Sequence, residues 1–98
     1  MILYTLHPGA ERDLDEACRW YKEKDSGRLI ARYLDEFDRS ARLLAQEPGL
    51  GTSTSQGRSA FPLRGFPYTL IYKPTDTGIR VLVVRHQHRD PAHGEGRS

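Results

Sequence analysis

Residues 66–91 decide the fold of this chain: FPYTLIY (66–72), KPTDTG (73–78), IRVLVV (79–84) and RHQHRDP (85–91). Two apolar, β-prone segments are joined by a polar turn that contains Gly78, so the stretch predicts an antiparallel hairpin. The second strand runs directly into a group of Arg and His residues. Because a strand within a sheet is a rigid support, this group predicts a cationic cluster at a fixed place, as a surface facing an anionic partner requires.

Upstream of the hairpin, the apolar residues follow helical spacing twice. One stripe begins at Ala10 and ends at Tyr21, and a second spans residues 30–44. Each predicts an amphipathic helix. A turn is predicted between the helices over residues 25–27, and the second helix is predicted to end before Pro48, which disfavours helix at the preceding residue.

The order of elements predicts the fold class. Strands are expected over residues 2–6, 59–65, 68–74 and 79–86, with a polar loop over residues 49–59. The resulting order β-α-α-β-β-β predicts an α+β two-layer fold, in which a helical hairpin packs on one face of a small, mainly antiparallel sheet. The other face is expected to be exposed or covered by a partner. We expect a single domain over residues 1–91 and a frayed tail over residues 92–98, which are small or polar.

Composition narrows the function classes. Ninety-eight residues suit one small domain, and the absence of both a long apolar run and a leader-like start predicts a cytoplasmic protein with no membrane contact. The only cysteine, Cys18, cannot form an internal disulfide. No zinc-ligand spacing or glycine-rich phosphate loop occurs, so neither a metal nor a cofactor is expected.

Residues 51–98 hold seven Lys and Arg against three Asp and Glu, a net charge of +4 that predicts an anion-facing half.

Short motifs follow one another through nearly the whole chain: Ala10 with Asp13-Leu14 and Ala17, Trp20-Tyr21, Glu47-Pro48, Phe66-Pro67-Tyr68, Ile71-Tyr72, residues 79–84, His86, Arg89 and Pro91. In order and spacing, they resemble the RelE/ParE superfamily of bacterial toxins from type II toxin–antitoxin systems, which includes plasmid stabilisation proteins. The resemblance implies a helical hairpin on a twisted antiparallel sheet, in agreement with the pattern above. It also implies a growth-inhibiting toxin that binds a cognate antitoxin.

The resemblance leaves the target of the toxin open. ParE-like members inhibit DNA gyrase, whereas RelE-like members cut mRNA on the ribosome with a set of Lys, Arg and Tyr side chains. Alignment on the shared Leu63-Arg64 and Tyr68 places other residues at most positions of that set: Ala60, Pro62, Thr69, Gln87 and His93. The substitutions favour gyrase inhibition. The alternatives are a ribosome-dependent mRNA endoribonuclease and a non-toxic member that only binds its antitoxin, so whether the protein is an enzyme stays open.

Five residues are the candidate catalytic groups for the nuclease alternative: Arg64, His86, His88, Arg89 and His93. Imidazoles exchange protons near neutral pH, and cations stabilise the charge that develops on a phosphate. The candidate contacts with the target or antitoxin are Arg64, Arg85 and Arg89.

Arg64, Arg85, His86 and Arg89 are expected to form one cluster on the sheet. The aromatic residues are expected to have a structural role instead. Trp20 and Tyr21 are predicted to pack between helix and sheet, and Tyr68 and Tyr72 are predicted to pack on one sheet face.

Overall fold

The computed structural model describes residues 3–24 and 27–98, which form two helices packed on one face of a mixed sheet. The elements are α1 (Pro8–Lys24), α2 (Gly27–Gln46), a 3-10 helix (Pro48–Leu50), β1 (Leu3–Leu6), β2 (Thr52–Ser53), β3 (Ser59–Pro62), β4 (Tyr68–Thr75) and β5 (Gly78–His86). The strand order is β1-β5-β4-β3-β2, in which β1 runs parallel to β5 and every other pair is antiparallel. The predicted two-layer α+β fold is confirmed. Neither helix is apolar enough over its described length to cross a membrane.

The boundaries differ from the predicted ones in a few places. Strand β3 ends at Pro62 rather than at residue 65, and Thr52–Ser53 pair with it as a short strand inside the predicted loop. Strand β2 contains no apolar residue, so no alternation of apolar and polar residues predicts it. Residue 2 of the predicted first strand and residues 25–26 of the predicted turn lie outside the described residues.

The predicted hairpin is the centre of the sheet and contains a β-bulge. Ile71 pairs with Val83, whereas the next residue of β4, Tyr72, pairs with Val81, so Leu82 is the extra residue of β5. A bulge changes which face the following side chains occupy. Val81 before the bulge and Val84 after it therefore both pack against the helices, whereas Leu82 and Val83 pack with Ile71 on the other face. We call that second face, which lies opposite the helices, the open face.

The helical layer closes over a group of aromatic rings. Tyr21, Tyr33, Phe66 and Tyr68 pack with their ring centroids 5.2 to 6.3 Å apart. The core positions predicted for Tyr21, Tyr68 and Tyr72 are confirmed, since all three are at most 9% exposed. The position predicted for Trp20 is wrong, because its side chain is 52% exposed. A helix turns by about 100° per residue, so neighbouring residues 20 and 21 cannot both face the sheet.

The tail over residues 92–98 is ordered by polar contacts instead of being frayed. Arg58 donates hydrogen bonds to the backbone carbonyls of Gly94, Glu95 and Arg97. Gly94 lies so close to Val83 that a Cβ at this position would be 2.4 Å from a methyl group of Val83. The expectation of fraying considered only apolar residues, and this segment is held mainly through guanidinium and carbonyl groups. The tail therefore covers part of the open face, which was expected to be left to solvent or a partner.

Glu36 of α2 connects the helical layer to the β3–β4 turn and should make the fold acid-sensitive. Its carboxylate accepts hydrogen bonds from Arg39, from Ser40 and from the backbone N–H of Arg64. The hydrogen bond from Arg39, followed by that from Arg64, outweighs burial and lowers the pKa of Glu36 from 4.5 to about 2. Because the folded pKa is the lower one, this stabilisation is complete above about pH 4.5 and disappears as the pH falls towards 2.

Replacing Glu36 by glutamine is therefore expected to lower the free energy of unfolding at pH 7 by about 1–2 kcal/mol, after allowance for solvent screening. Denaturant titrations between pH 2 and 7 measure this difference, which should shrink as the pH approaches 2. The exposed Glu23 of α1 provides the control, because Glu23→Gln should change stability little at any pH. A difference in stability between wild type and Glu36→Gln that stays constant from pH 2 to 7 would contradict the lowered pKa of Glu36.

Candidate functional site

A groove lies between α1 and the end of β5, on the helical side of the sheet. It has a volume of about 410 Å³ and is lined by Asp13, Glu16, Ala17, Trp20, Tyr68, Val84, His86, His88, Arg89 and His93. Helix α1 supplies one wall, because positions 13, 16, 17 and 20 follow the i, i+3, i+4, i+7 spacing of a single helix face. The end of β5 and the chain that follows it supply the other wall. Four of the five candidate catalytic residues are in this lining.

Asp13 is the buried charge at one end of the groove. Only 6% of the residue is exposed, and both carboxylate oxygens are engaged. Oδ2 accepts hydrogen bonds from the backbone N–H of Val84 at 3.0 Å and from Arg97 Nη1 at 2.7 Å, and Oδ1 lies 2.8 Å from His93 Nε2. Burial alone would raise the pKa of Asp13, but the hydrogen bonds from Arg97, Val84 and His93 together lower it. The carboxylate is therefore ionised, and His93 Nε2 must be the donor in their contact.

The same carboxylate accepts a hydrogen bond from the edge of β5, at a point where β1 no longer pairs with it. Strand β1 ends at Leu6, where the N–H of His7 donates to the carbonyl of Val81, so beyond that point β5 has no paired strand on the edge opposite β4. Asp13 takes the N–H of Val84, and Arg97 Nη1 donates to the carbonyl of Leu82 at 3.0 Å. The ion pair thus replaces the backbone partner that a longer β1 would have provided, and it fixes the tail to α1.

His86 and His88 stand together at the end of β5. Their ring centroids are 5.4 Å apart, and the ring of His86 lies edge-on to Tyr68 with a centroid distance of 5.0 Å. The backbone N–H of His88 donates to His86 Nδ1 at 3.1 Å. In the neutral imidazole, the proton must then be on Nε2, so that nitrogen can donate a hydrogen bond but cannot accept one. Burial raises the pKa of Tyr68 to about 12, which keeps its hydroxyl group protonated.

The mouth of the groove combines an ion pair with an exposed ring. Arg89 Nη1 lies 3.4 Å from Glu16 Oε2 and links the two walls, although both side chains are about half exposed, so the pair contributes little stability. Trp20 lies beside it, with Lys24 Nζ 5.8 Å from the ring centroid. The groove therefore has an apolar floor, an accessible indole ring and several hydrogen-bond donors. Such a surface suits recognition of a partner's side chains better than proton abstraction.

The structure does not bring the four expected cluster residues together. His86 and Arg89 line the groove, but Arg85 points to the open face, where it donates to the carbonyl of Pro91. Arg64 lies in the β3–β4 turn, is tied to Glu36 through its backbone N–H, and does not line the groove. The expectation of one cluster is thus wrong for these two arginines. Side chains 84, 85 and 86 point to alternating faces of β5, so Arg85 points away from His86. Arg64 lies on the β3 side of β4, whereas β5 lies on the other side.

Among the groove residues that α1 supplies, sequence reasoning missed the functional candidates Asp13, Glu16 and Trp20. In the sequence, Asp13 and Glu16 are ordinary acids of the first turns of a helix, where the helix dipole favours negative charge. Their spacing from Trp20 was nevertheless a usable signal, because residues 13, 16 and 20 share a helix face that is rotated away from the Leu14–Tyr21 stripe. What the spacing could not show is that this face lies beside the end of β5. Within residues 3–24 and 27–98, no group of three His, Cys, Asp or Glu side chains is arranged to hold a metal ion.

Comparison with known proteins identifies the family. The model for the ParE toxin of type II toxin–antitoxin system, parDE, matches residues 4–91. The chain belongs to the ParE toxin family. This membership confirms the predicted toxin of a type II toxin–antitoxin system and implies a cognate antitoxin as its partner. The match ends before the tail, so the contacts of His93 and Arg97 with Asp13 lie partly beyond the region that the family model describes.

Individual relatives agree with the family assignment. The chain is 29% identical over 86 residues to Toxin ParE2 from two strains of Mycobacterium tuberculosis, CDC 1551 / Oshkosh and ATCC 25618 / H37Rv, and the alignment covers 88% of this chain and 82% of each relative. A solved structure described as the chromosomal ParDE TA system from P. aeruginosa superposes with a TM-score of 0.75. That match covers 88% of this chain and 96% of the other at 17% identity, and it supports the ParE fold alone.

Proposed function

We propose that this ParE-family toxin arrests growth by inhibiting DNA gyrase in the cytoplasm, and that the groove between α1 and β5 is its contact with the enzyme. Membership of the family supports inhibition as the activity. The observation that carries the choice of surface is Trp20, a large aromatic side chain that is 52% exposed at the groove mouth. Exposed aromatic residues beside a pocket are the usual anchors of protein–protein recognition.

The hydrogen bonding of the imidazoles supports inhibition over RNA cleavage. A nuclease that activates a 2′-hydroxyl group needs an acceptor nitrogen or oxygen directed at its substrate. Here, His86 Nδ1 is occupied by the backbone of His88, and His93 Nε2 is directed at Asp13. Arg64, which the nuclease alternative would use for the phosphate, is outside the groove. These two ring nitrogens thus serve the protein's own structure, and the surface beside Trp20 is left for a partner.

The first test of this proposal measures both activities of the purified toxin. Supercoiling of relaxed plasmid by purified gyrase should stop, or cleaved DNA should accumulate, as toxin is added. Primer extension on ribosome-bound mRNA should show no new ends at the same toxin concentrations. Normal supercoiling at saturating toxin would refute the proposal, and codon-positioned mRNA ends would support the nuclease instead.

Replacing Trp20 by alanine tests the surface. We expect the toxin concentration for half-maximal inhibition to rise roughly 30-fold, because a central aromatic anchor contributes about 2 kcal/mol or more. Leu34→Ala is the matched control, since Leu34 is also a large exposed apolar residue, 40% exposed, but lies on α2. Both variants should unfold at nearly the wild-type temperature. Equal losses of inhibition in the two variants would place the contact elsewhere.

A further inference from the structure

The open face carries two cations side by side. Lys73 of β4 and Arg80 of β5 are directly paired in the antiparallel register, and Thr5 of β1 pairs with Arg80 on its other side. Ile79 and Val81 pack against the helices, so Arg80 and its lateral neighbours point to the open face. We call Lys73 and Arg80 the cationic row. Paired residues have Cβ atoms only about 5 Å apart, and like charges in this relation destabilise a sheet.

Within residues 3–24 and 27–98, no ion pair compensates this repulsion. No carboxylate of the described chain lies within 4 Å of Lys73 or Arg80 to form an ion pair. Both side chains are partly exposed. The arginine and lysine are therefore held beside each other at the expense of stability, which indicates that the pair has a role outside the fold.

Further positive charge surrounds the row. Burial lowers the pKa of His7, the residue that follows β1, and the positive fields of four guanidinium groups lower it further: Arg80, Arg97, Arg12 and Arg58. Arg85 also points to this face. Arg97 is neutralised by Asp13, but none of the other four arginines forms an ion pair with a carboxylate of the described residues. A surface of this kind attracts polyanions over distances close to the Debye length, about 10 Å at 0.1 M salt.

We propose that the open face binds the phosphate backbone of duplex DNA through Lys73 and Arg80. The surface at the row offers cations and the Thr5 hydroxyl group, which are the donors that phosphate oxygens require. An acidic polypeptide would normally need an apolar anchor as well. The apolar residues that pack together on this face, Ile71, Leu82 and Val83, are already buried, at most 5% exposed, and the tail packs on Val83. This DNA contact is distinct from the groove and needs no gyrase.

Fluorescence anisotropy with a labelled 30-base-pair duplex, in the absence of gyrase, tests the proposal. The wild-type protein should bind in the range of about 1–100 µM at 50 mM salt, as sequence-independent phosphate contacts do. Lys73→Glu/Arg80→Glu should weaken binding at least 10-fold and make the slope of log affinity against log salt shallower by about 2, one unit for each lost phosphate contact. No binding by the wild-type protein at 50 mM salt would overturn the proposal.

A charge-matched variant distinguishes the effect of the cationic row on DNA binding from the effect of net charge alone. Arg19→Glu/Lys22→Glu makes the same change in net charge on exposed residues of α1, in the helical layer. It should weaken DNA binding less than 3-fold. Equal weakening by both double variants would show that only net charge matters. Displacement of the duplex by poly-glutamate at equal charge concentration would assign the patch to an acidic polypeptide and would overturn the DNA assignment.

Lys73→Glu alone separates binding from folding. It places a carboxylate directly opposite Arg80, so the melting temperature should rise while DNA affinity falls. A merely structural lysine would not combine these two effects. A higher melting temperature with unchanged DNA affinity would overturn the proposal. Because this assay contains no gyrase, its outcome is independent of the supercoiling measurement.

Discussion

Replacing Asp13 by asparagine is expected to lower the free energy of unfolding by about 3–5 kcal/mol, because it leaves a guanidinium group without its counter-charge in a buried site. The Arg97 side chain is 15% exposed and that of Asp13 is 5% exposed, so water cannot replace the lost partner. Asparagine has nearly the same shape but cannot accept hydrogen bonds at both terminal atoms. The amide would face at least one of its three present donors with a donor of its own.

Thermal unfolding followed by circular dichroism measures this effect. A loss of 3 kcal/mol corresponds to a decrease of more than about 10 °C in the melting temperature of a domain of this size. Asp15→Asn is the matched control, because Asp15 lies on the exposed side of the same helix and should tolerate the change. A decrease of less than 1 kcal/mol for Asp13→Asn, about the loss of one ordinary hydrogen bond, would show that the tail is not fixed through this carboxylate.

A double variant identifies the charge as the cause. In Asp13→Asn/Arg97→Met the guanidinium group is gone, so no buried cation is left unpaired. The loss of stability in the double variant should therefore be smaller than the sum of the two single losses. Additive losses would mean that Asp13 and Arg97 act separately.

Replacing Gly78 by alanine is expected to detach β1 from the sheet and to lower the free energy of unfolding by about 3 kcal/mol. A Cβ at this position would lie 1.7 Å from the carbonyl oxygen of Leu3, and the clash is with backbone rather than with a flexible side chain. Strand β1 has only four residues and, within the described sheet, pairs with β5 alone, so no second strand holds its register. Its remaining contacts are made by side chains, such as the hydrogen bond from Tyr4 to Asp38 of α2.

Amide hydrogen exchange distinguishes local detachment from general loss of stability. Protection of the His7 amide, which donates to the carbonyl of Val81, should fall much further than protection of amides in the β4–β5 pair. Gly49→Ala is the control, because a Cβ there would meet no atom within 4 Å. Uniform loss of protection across the sheet would contradict detachment of β1.

The helices and the hairpin could be predicted from the sequence because their signals are local. The stripes of α1 and α2 repeat every three or four residues, and the hairpin strands are joined by a short turn over residues 76–77, just before Gly78. The family resemblance was equally accessible, since it depends on the order of motifs along the chain. The short strand at Thr52–Ser53 gave no such signal, because two exposed polar residues pair only where the start of β3 is already in place.

The groove could be predicted only in part. The end of β5 was recognised as a functional candidate, and His86, His88, Arg89 and His93 do line one surface. Arg85 was grouped with them by sequence proximity, although adjacent strand residues point to opposite faces.

Trp20 was assigned to the core because it is large and aromatic, which is the more common position for such a residue. Its exposure depends on the rotation of α1 over the sheet. That rotation is determined by all the core contacts together.

By itself, the sequence determined which segments are helices and strands, which faces of those elements are apolar and which family the chain resembles. Only the tertiary structure decided what covers each face. The Asp13–Arg97 ion pair joins positions that are 84 residues apart, and the cationic row joins two strands through their register. Such contacts depend on the packing of the whole domain, since no periodicity within a segment encodes the partner that packing places beside it.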